Sequence, residues 1–185
     1  MIPDDVFAVI PTLTTDRLRL EPLGPRHFKG SWAALHDTES MRLTGTQSTF
    51  TEDQIHAWLA GLTERHDRAD WAVIRLEDGA HIGEVVLNDL DAPNESMNLR
   101  IALSGDAARG RGYGTEAIRA VVAHAFDVVG LHRISLDVFS FNPAARRAYE
   151  KSGFVVEGRQ RHTMRWDGEW VDSILMGMLA SDPRG

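Results

Sequence analysis

The sequence predicts a chain of the α/β class, α+β in kind, with a mostly antiparallel sheet flanked by helices. Three observations predict it. The string TTDRLRLEPL alternates like a strand, three strand-like runs follow one another with turns between them, and two helical runs are then interleaved with further strands.

In Thr14–Leu23, Leu18 and Leu20 point one way and Arg17, Arg19 and Glu21 the other, as in a half-buried strand that Pro22 and Gly24-Pro25 stop. A short helix follows over Phe28–His36, with Phe28, Trp32 and Leu35 on one side. A polar loop holding Arg42, Thr44 and Phe50 leads to Thr51-Glu52-Asp53-Gln54, a capping box that opens a helix with the stripe Ile55, Trp58, Leu59 and Leu62. Strands are expected over Trp71–Leu76, His81–Leu90 and Met97–Leu103. Asp78-Gly79 turns the first pair and Asp91–Asn94 the second, giving an antiparallel meander. After AARGRGYGTEA comes a helix to Val129 that Gly130 ends, then a strand over Arg133–Phe139. Asn142-Pro143 opens the next helix, to about Ser152, and the remainder is a hairpin turning at Asp167-Gly168. The order is β-α-α-β-β-β-α-β-α-β-β, with no repeat or linker, so one domain over 1–185 is expected, its core about 13–179.

The 185 residues are 43% apolar and 25% charged, sufficient for a core and unlike a disordered chain. Lys and Arg number 20 against 27 Asp and Glu, a net charge of -7, which argues against phosphate-backbone binding and fits an amine-bearing partner better. The absence of cysteine excludes disulfides, thiol catalysis and Cys-ligated metals, and the eight histidines show no paired spacing, so no metal is expected. The acidic start, Met-Ile-Pro-Asp-Asp, has no basic, apolar leader pattern, and no long apolar run occurs, so an intracellular, cytoplasmic protein is expected.

In RGRGYGT, Gly110, Gly112 and Gly114 lack side chains at the entry to a helix. The backbone there can approach a ligand and turn N–H groups toward it, with the positive helix end behind them and Arg109 and Arg111 beside them, an anion site suited to a pyrophosphate. No Gly-Lys exists for a P-loop. A dinucleotide loop fails too, because Thr115 stands where its third glycine would, after a meander rather than a parallel strand. What remains is Arg-x-x-Gly-x-Gly, at Arg109, Gly112 and Gly114.

That pattern resembles the acyl-coenzyme A loop of the GNAT superfamily of N-acetyltransferases. The segment NPAARRAYEKSGF is similar to a second motif of that family, matching at Asn142, Ala145, Tyr149, Glu150, Lys151, Gly153 and Phe154. LTTDRLRLEPL at the start, and RWDGEWVDSILMGML with Gly168, Trp170 and Asp172, resemble the ribosomal-protein N-terminal acetyltransferase (RimJ/RimL) branch, so the resemblance spans Leu13–Leu179. It implies the GNAT fold, with a mixed, mostly antiparallel twisted sheet, and acetyl-CoA as cosubstrate. It further implies that the coenzyme is held by Ile101, Ala102 and Leu103, by the loop Arg109, Gly110, Arg111, Gly112, Tyr113, Gly114 and Thr115, and by Asn142, Ala145 and Arg146. The strand before the loop is expected to splay from its neighbour, so that its backbone can pair with the pantetheine arm.

Acyl transfer to an amine needs a neutral amine and help for the departing thiolate. Tyr149 is the expected proton donor, since a phenol near pKa 10 lies close to a thiol near 8.5; the alternative is a tyrosine that only packs helix on sheet. The family's frequent glutamate base falls at Asn98, and an amide cannot take the proton. Glu84, Asp89 or Glu95 could act through water, each otherwise a solvated edge carboxylate, or the amine arrives neutral. The acceptor is expected beside the early helices and the last hairpin, near Trp32, Arg42, Phe50, Trp166 and Trp170, with Trp58 assigned to the core and Arg42 or Arg165 able to meet an acceptor carboxylate. The expected partners are acetyl-CoA and a primary amine, either a protein N-terminus or a small metabolite or antibiotic, and neither nucleic acid nor membrane; the chain is a monomer or homodimer. A non-catalytic acyl-CoA sensor and transfer of another acyl group stay open at this point.

Overall fold

The computed structural model describes Ile2, Pro3 and residues 5–185; Met1 and Asp4, part of the acidic opening, lie outside the described residues. Among these, eight strands share one sheet: Leu13–Thr14 (β1), Leu18–Pro22 (β2), Ala69–Arg75 (β3), His81–Asp91 (β4), Ser96–Leu103 (β5), Arg133–Phe139 (β6), Val155–Trp166 (β7) and Glu169–Leu179 (β8). Their spatial order is β1-β2-β3-β4-β5-β6-β8-β7, antiparallel everywhere except between β5 and β6. The helices are Phe28–Ala34 (α1), Thr38–Thr44 (α2), Glu52–Gly61 (α3), Tyr113–His124 (α4), which runs on through a π turn to Val129, and Pro143–Lys151 (α5).

Strand alternation decides which side chains go to which layer. Trp71 and Val73 of β3 join Leu18, Leu20 and Leu99 in the large cluster under α4 and α5. Ala72 and Ile74 turn the other way, to Leu23, Ile55, Leu59 and Leu62 under α1 and α3. Leu18 and Leu20 are wholly buried, and each contributes roughly 1.5–3 kcal/mol of transfer free energy, so a one-residue slip of β2 would expose both.

Three sequence expectations are corrected. The strand expected over Thr14–Leu23 is broken: the Thr15 N–H donates to Leu18 O at 2.9 Å, folding β1 back so that Leu13 faces Leu20. The loop expected around Arg42 and Thr44 is the helix α2, because Asp37 caps its first turn by accepting from the Glu39 and Ser40 N–H groups and Gly45, at φ 68°, closes it. Trp58, assigned to the core, is half-buried, packed against the smaller cluster on one side and lining a cavity on the other.

One feature of the sheet opens it to a ligand from the side. β5 and β6 pair over only three residues, Ser96–Asn98 with Arg133–Ser135, and then diverge, leaving the Leu99–Leu103 edge of β5 without a strand on that side.

Candidate active site

Beyond that open edge lies a cavity of about 340 Å³ whose floor is Ile101, Ala102 and Leu103 and whose rim is the glycine loop. Gly110 and Gly112 sit at φ 73° and 83°, a left-handed backbone that other residues adopt at a cost of roughly 1–2 kcal/mol. Gly112 is the N-cap of α4, so the first N–H groups of that helix point out at the loop, and no capping side chain takes them. A Cβ on Gly110 would meet nothing within 4 Å, and one on Gly114 only Leu103, at 3.5 Å. The cradle is thus open to a diphosphate, and the residues fit the group that the sequence implied.

Arg109, Gly110, Gly112, Gly114, Thr115, Asn142 and Ala145 all line this cavity. Arg109 does so while held by Asp37, at 2.8 Å. Asn142 caps α5 by accepting from the Ala145 N–H at 3.0 Å. Arg111 and Tyr113 do not line it: the Arg111 carbonyl accepts from Arg17, and the buried Tyr113 ring lies under the Arg17 guanidinium. Arg146 turns away to Glu150, at 2.8 Å, and its neighbour Arg147 faces the cavity in its place.

Tyr149, 4% exposed, also lines it. Burial pushes the phenol well above its ordinary value, the Asp137 charge adds to this, and Arg100 opposes it, so at neutral pH Tyr149 keeps its proton; the close match to a thiol expected from the sequence is corrected to a wider gap, because the buried phenol is a weaker acid.

A second cavity, about 500 Å³, lies between α1, α2 and α3 and strands β3–β5, and it shares Ser40, Thr44, Ile101 and Ala102 with the first. Two cross-strand rows build its floor: Asp70, Val86 and Arg100 in one, Glu84 and Ala102 in the other. Glu84 accepts from the Ser31 hydroxyl at 2.5 Å. Burial raises its carboxyl above the ordinary range; the Ser31 hydrogen bond works against this and the Asp70 charge with it. Asp70, 2% exposed, accepts both arms of the Arg68 guanidinium, at 2.6 and 2.7 Å. Leu35, Met41, Ile55 and Trp58 supply apolar wall, with Phe50 beside them.

Of the sequence's base candidates, the structure brings only Glu84 to a cavity. Asn98 donates to Asn88 at 3.1 Å, Asp89 accepts from Asn88 at 2.8 Å, and these two and Glu95 lie outside both cavities. Arg42 is held by Glu39 and lies over Phe141, while Arg165 donates to Gly168 O and lies over Trp170, so neither lines the second cavity. Trp32 packs on Phe28 and His36, Trp170 is 57% exposed, and the final hairpin, Trp166 included, contributes nothing to the cavity wall. Sequence reasoning missed Ser31, Asp37, Asp70 and Arg100. For Asp37 a signal existed, a capping residue eight positions before Gly45; the others follow only from strand register.

The family model of the acetyltransferase (GNAT) domain matches residues 17–155. The "Uncharacterized N-acetyltransferase YoaA" of Bacillus subtilis is 26% identical over 174 residues, 92% of this chain and 98% of that protein. The "Probable N-acetyltransferase YjcK" of the same organism is 40% identical over 76 residues, a match of 41% of this chain and only 42% of that protein. The spermidine N-acetyltransferase of Vibrio cholerae, solved with CoA and spermine, superposes with a TM-score of 0.83 over 90% of this chain and 98% of its own, at 22% identity, a likeness of fold. With the family model covering most of its length, the chain belongs to the GNAT acetyltransferases and is an acetyl-CoA-dependent N-acetyltransferase.

Proposed function

We propose that this chain moves an acetyl group from acetyl-CoA onto a small primary amine by direct attack in a ternary complex. The observation that carries this is the pair of cavities meeting at Ser40, Thr44, Ile101 and Ala102, one behind the glycine loop and one floored by a carboxylate. The α4 N-terminus and the loop amides hold the diphosphate, and the unpaired β5 edge takes the pantetheine amides as a strand would. Tyr149, which lines the coenzyme cavity and is kept protonated by burial though a weaker acid than a free phenol, supplies a proton to the sulfur as the carbon–sulfur bond breaks. Glu84 takes the amine's proton, directly or through one water; its raised pKa brings it nearer to an ammonium's and makes it a better base than a solvated carboxylate. A half-buried carboxylate that lines the second cavity with no cationic partner favours a catalyst over an acyl-CoA sensor, which has no use for one.

A cavity of about 500 Å³ is the size of a small-molecule site, which favours a metabolite over the surface of a folded ribosomal protein. Placement in the RimJ/RimL branch rests on the opening strand and the closing hairpin of the sequence. Incubation with acetyl-CoA and a panel of amines and N-terminal peptides, followed by free thiol release, tests the reaction. Turnover of a small amine, lost in Glu84→Gln by about 10²-fold or more, is expected; turnover of N-terminal peptides alone would refute the small-acceptor reading.

A further inference from the structure

The charged side chains of the second cavity do not balance pair by pair, and what is left over describes an acceptor. Four charged side chains line it: Arg68, Asp70, Glu84 and Arg100. Arg68 and Asp70 satisfy each other through two hydrogen bonds. Glu84 has only the Ser31 hydroxyl, and among the described residues Arg100 makes no ion pair with any carboxylate. One negative and one positive group therefore face the same space unmatched.

Register sets how far apart they are. Glu84 stands opposite Ala102 and Val86 opposite Arg100, so Glu84 and Arg100 are diagonal neighbours on one face of paired strands. Their side chains start roughly 7 Å apart. Both arms are long enough to converge on a ligand whose own opposite charges are separated by two or three bonds.

We propose, on the two-cavity reading above, that the acceptor is a short zwitterion, an α-amino acid with an apolar side chain, whose amine lies at Glu84 and whose carboxylate lies at Arg100. Its side chain fills the apolar wall of Leu35, Met41, Ile55 and Trp58. A polyamine fits badly, because its second ammonium would find no free carboxylate and would approach Arg100. A peptide N-terminus carries a neutral amide where Arg100 needs a charge. In the transfer, the ammonium gives one proton to Glu84, the neutral nitrogen bonds to the acetyl carbon, the carbon–sulfur bond breaks as the sulfur takes the proton of Tyr149, and the nitrogen's second proton returns to the Tyr149 phenolate through water. The amino acid's carboxylate remains on Arg100 throughout.

The test compares kcat/KM, by thiol release and referred to the neutral amine fraction, for L-leucine and L-phenylalanine, their carboxamides, and the decarboxylated amines isoamylamine and phenethylamine, with spermidine and an N-terminal peptide alongside. The amino acids are expected to exceed their carboxamides and amines by at least tenfold. Arg100→Gln is expected to bring the ratio of amino acid to carboxamide close to one, whatever the absolute rates, and Arg100→Lys to restore part of it. A wild-type ratio near one overturns the proposal. So does a ratio that Arg100→Gln leaves intact while all rates fall together, which would assign Arg100 to the chemistry beside Tyr149. Absence of amino-acid turnover, or preference for spermidine or the peptide, also overturns it while leaving acetyl transfer standing. The wider reading fails separately, if acetyl-CoA neither raises the melting temperature nor is consumed with any amine.

Discussion

Asp37→Ala removes the residue that joins the two halves of the site. One carboxylate oxygen accepts from the Glu39 and Ser40 N–H groups at 3.1 and 3.4 Å; the other accepts from the Ser40 hydroxyl at 2.9 Å, the Gly105 N–H at 2.7 Å and Arg109 at 2.8 Å. Loss of the helix cap costs about 1 kcal/mol. The Arg109 pair, with both side chains 21% exposed, contributes about 1 kcal/mol, and the stranded Gly105 N–H about another. The sum, about 3 kcal/mol, corresponds to a melting temperature roughly 6–12 °C lower for a chain of this size. Asp37→Asn should fall between: its amide can satisfy either the cap or the loop donors, and its NH2 group then faces the other set.

The assay is thermal unfolding followed by circular dichroism, repeated from pH 7 downward. Burial works against ionisation of Asp37, yet the Gly105 and Ser40 hydrogen bonds and Arg109 outweigh it and hold the carboxyl below its ordinary range. A depressed folded-state pKa means that the stabilisation is present above the unfolded value, about 3.9, and is lost as pH falls through the lower folded value. The gap between wild type and Asp37→Ala should therefore narrow only in strong acid. A variant that melts within 2 °C of wild type at pH 7, or a gap that closes between pH 7 and 5, would refute the clamp.

Other perturbations separate binding, chemistry and folding. Tyr149→Phe keeps the ring buried against Phe154 and should leave CoA affinity unchanged while kcat falls about 10²-fold with chemistry limiting; near-normal kcat would make the phenol structural. Gly112→Asp puts a charge and a Cβ where φ is 83°, and should abolish the rise in melting temperature that CoA gives wild type; a preserved rise would displace the diphosphate from the loop. His27, His81 and His124 all have their pKa lowered by burial, so the unfolded chain takes up protons first and stability should decline as pH drops below about 6.5. A melting temperature flat from pH 7 to 5 would show that these rings are not buried in solution.

The glycine loop at the entry to α4 and the helix α5 after Asn142 were legible because each lies in one continuous segment. A glycine at every other position before an apolar helical run needs no tertiary partner to be recognised, and Asn142 and Tyr149 share one helix with their motif. The meander of β3, β4 and β5 was legible for the same reason: alternation and turn residues are local. Helix α2 was missed because seven residues make too short an amphipathic period, although Asp37 and Gly45 mark both of its ends.

The second cavity is assembled across strands, and there sequence reading could not separate a carboxylate that lines it from a solvated one. Glu84, Asp89 and Glu95 are equivalent as letters. Only register puts Glu84 opposite Ala102, on the face that α1 and α2 cover, and only the folded α1 brings Ser31 to it. The same register places Arg100 one row away, beside the point where β5 parts from β6. Val86, between Asp70 and Arg100 in their row, lines the second cavity and not the one at the glycine loop, whereas Leu103 lines only the latter, so on the proposed reading a substitution at Val86 should shift acceptor preference and one at Leu103 coenzyme binding. On the proposed reading, acceptor choice is written in cross-strand neighbours and coenzyme choice in a loop, which lets the first vary while the second stays fixed.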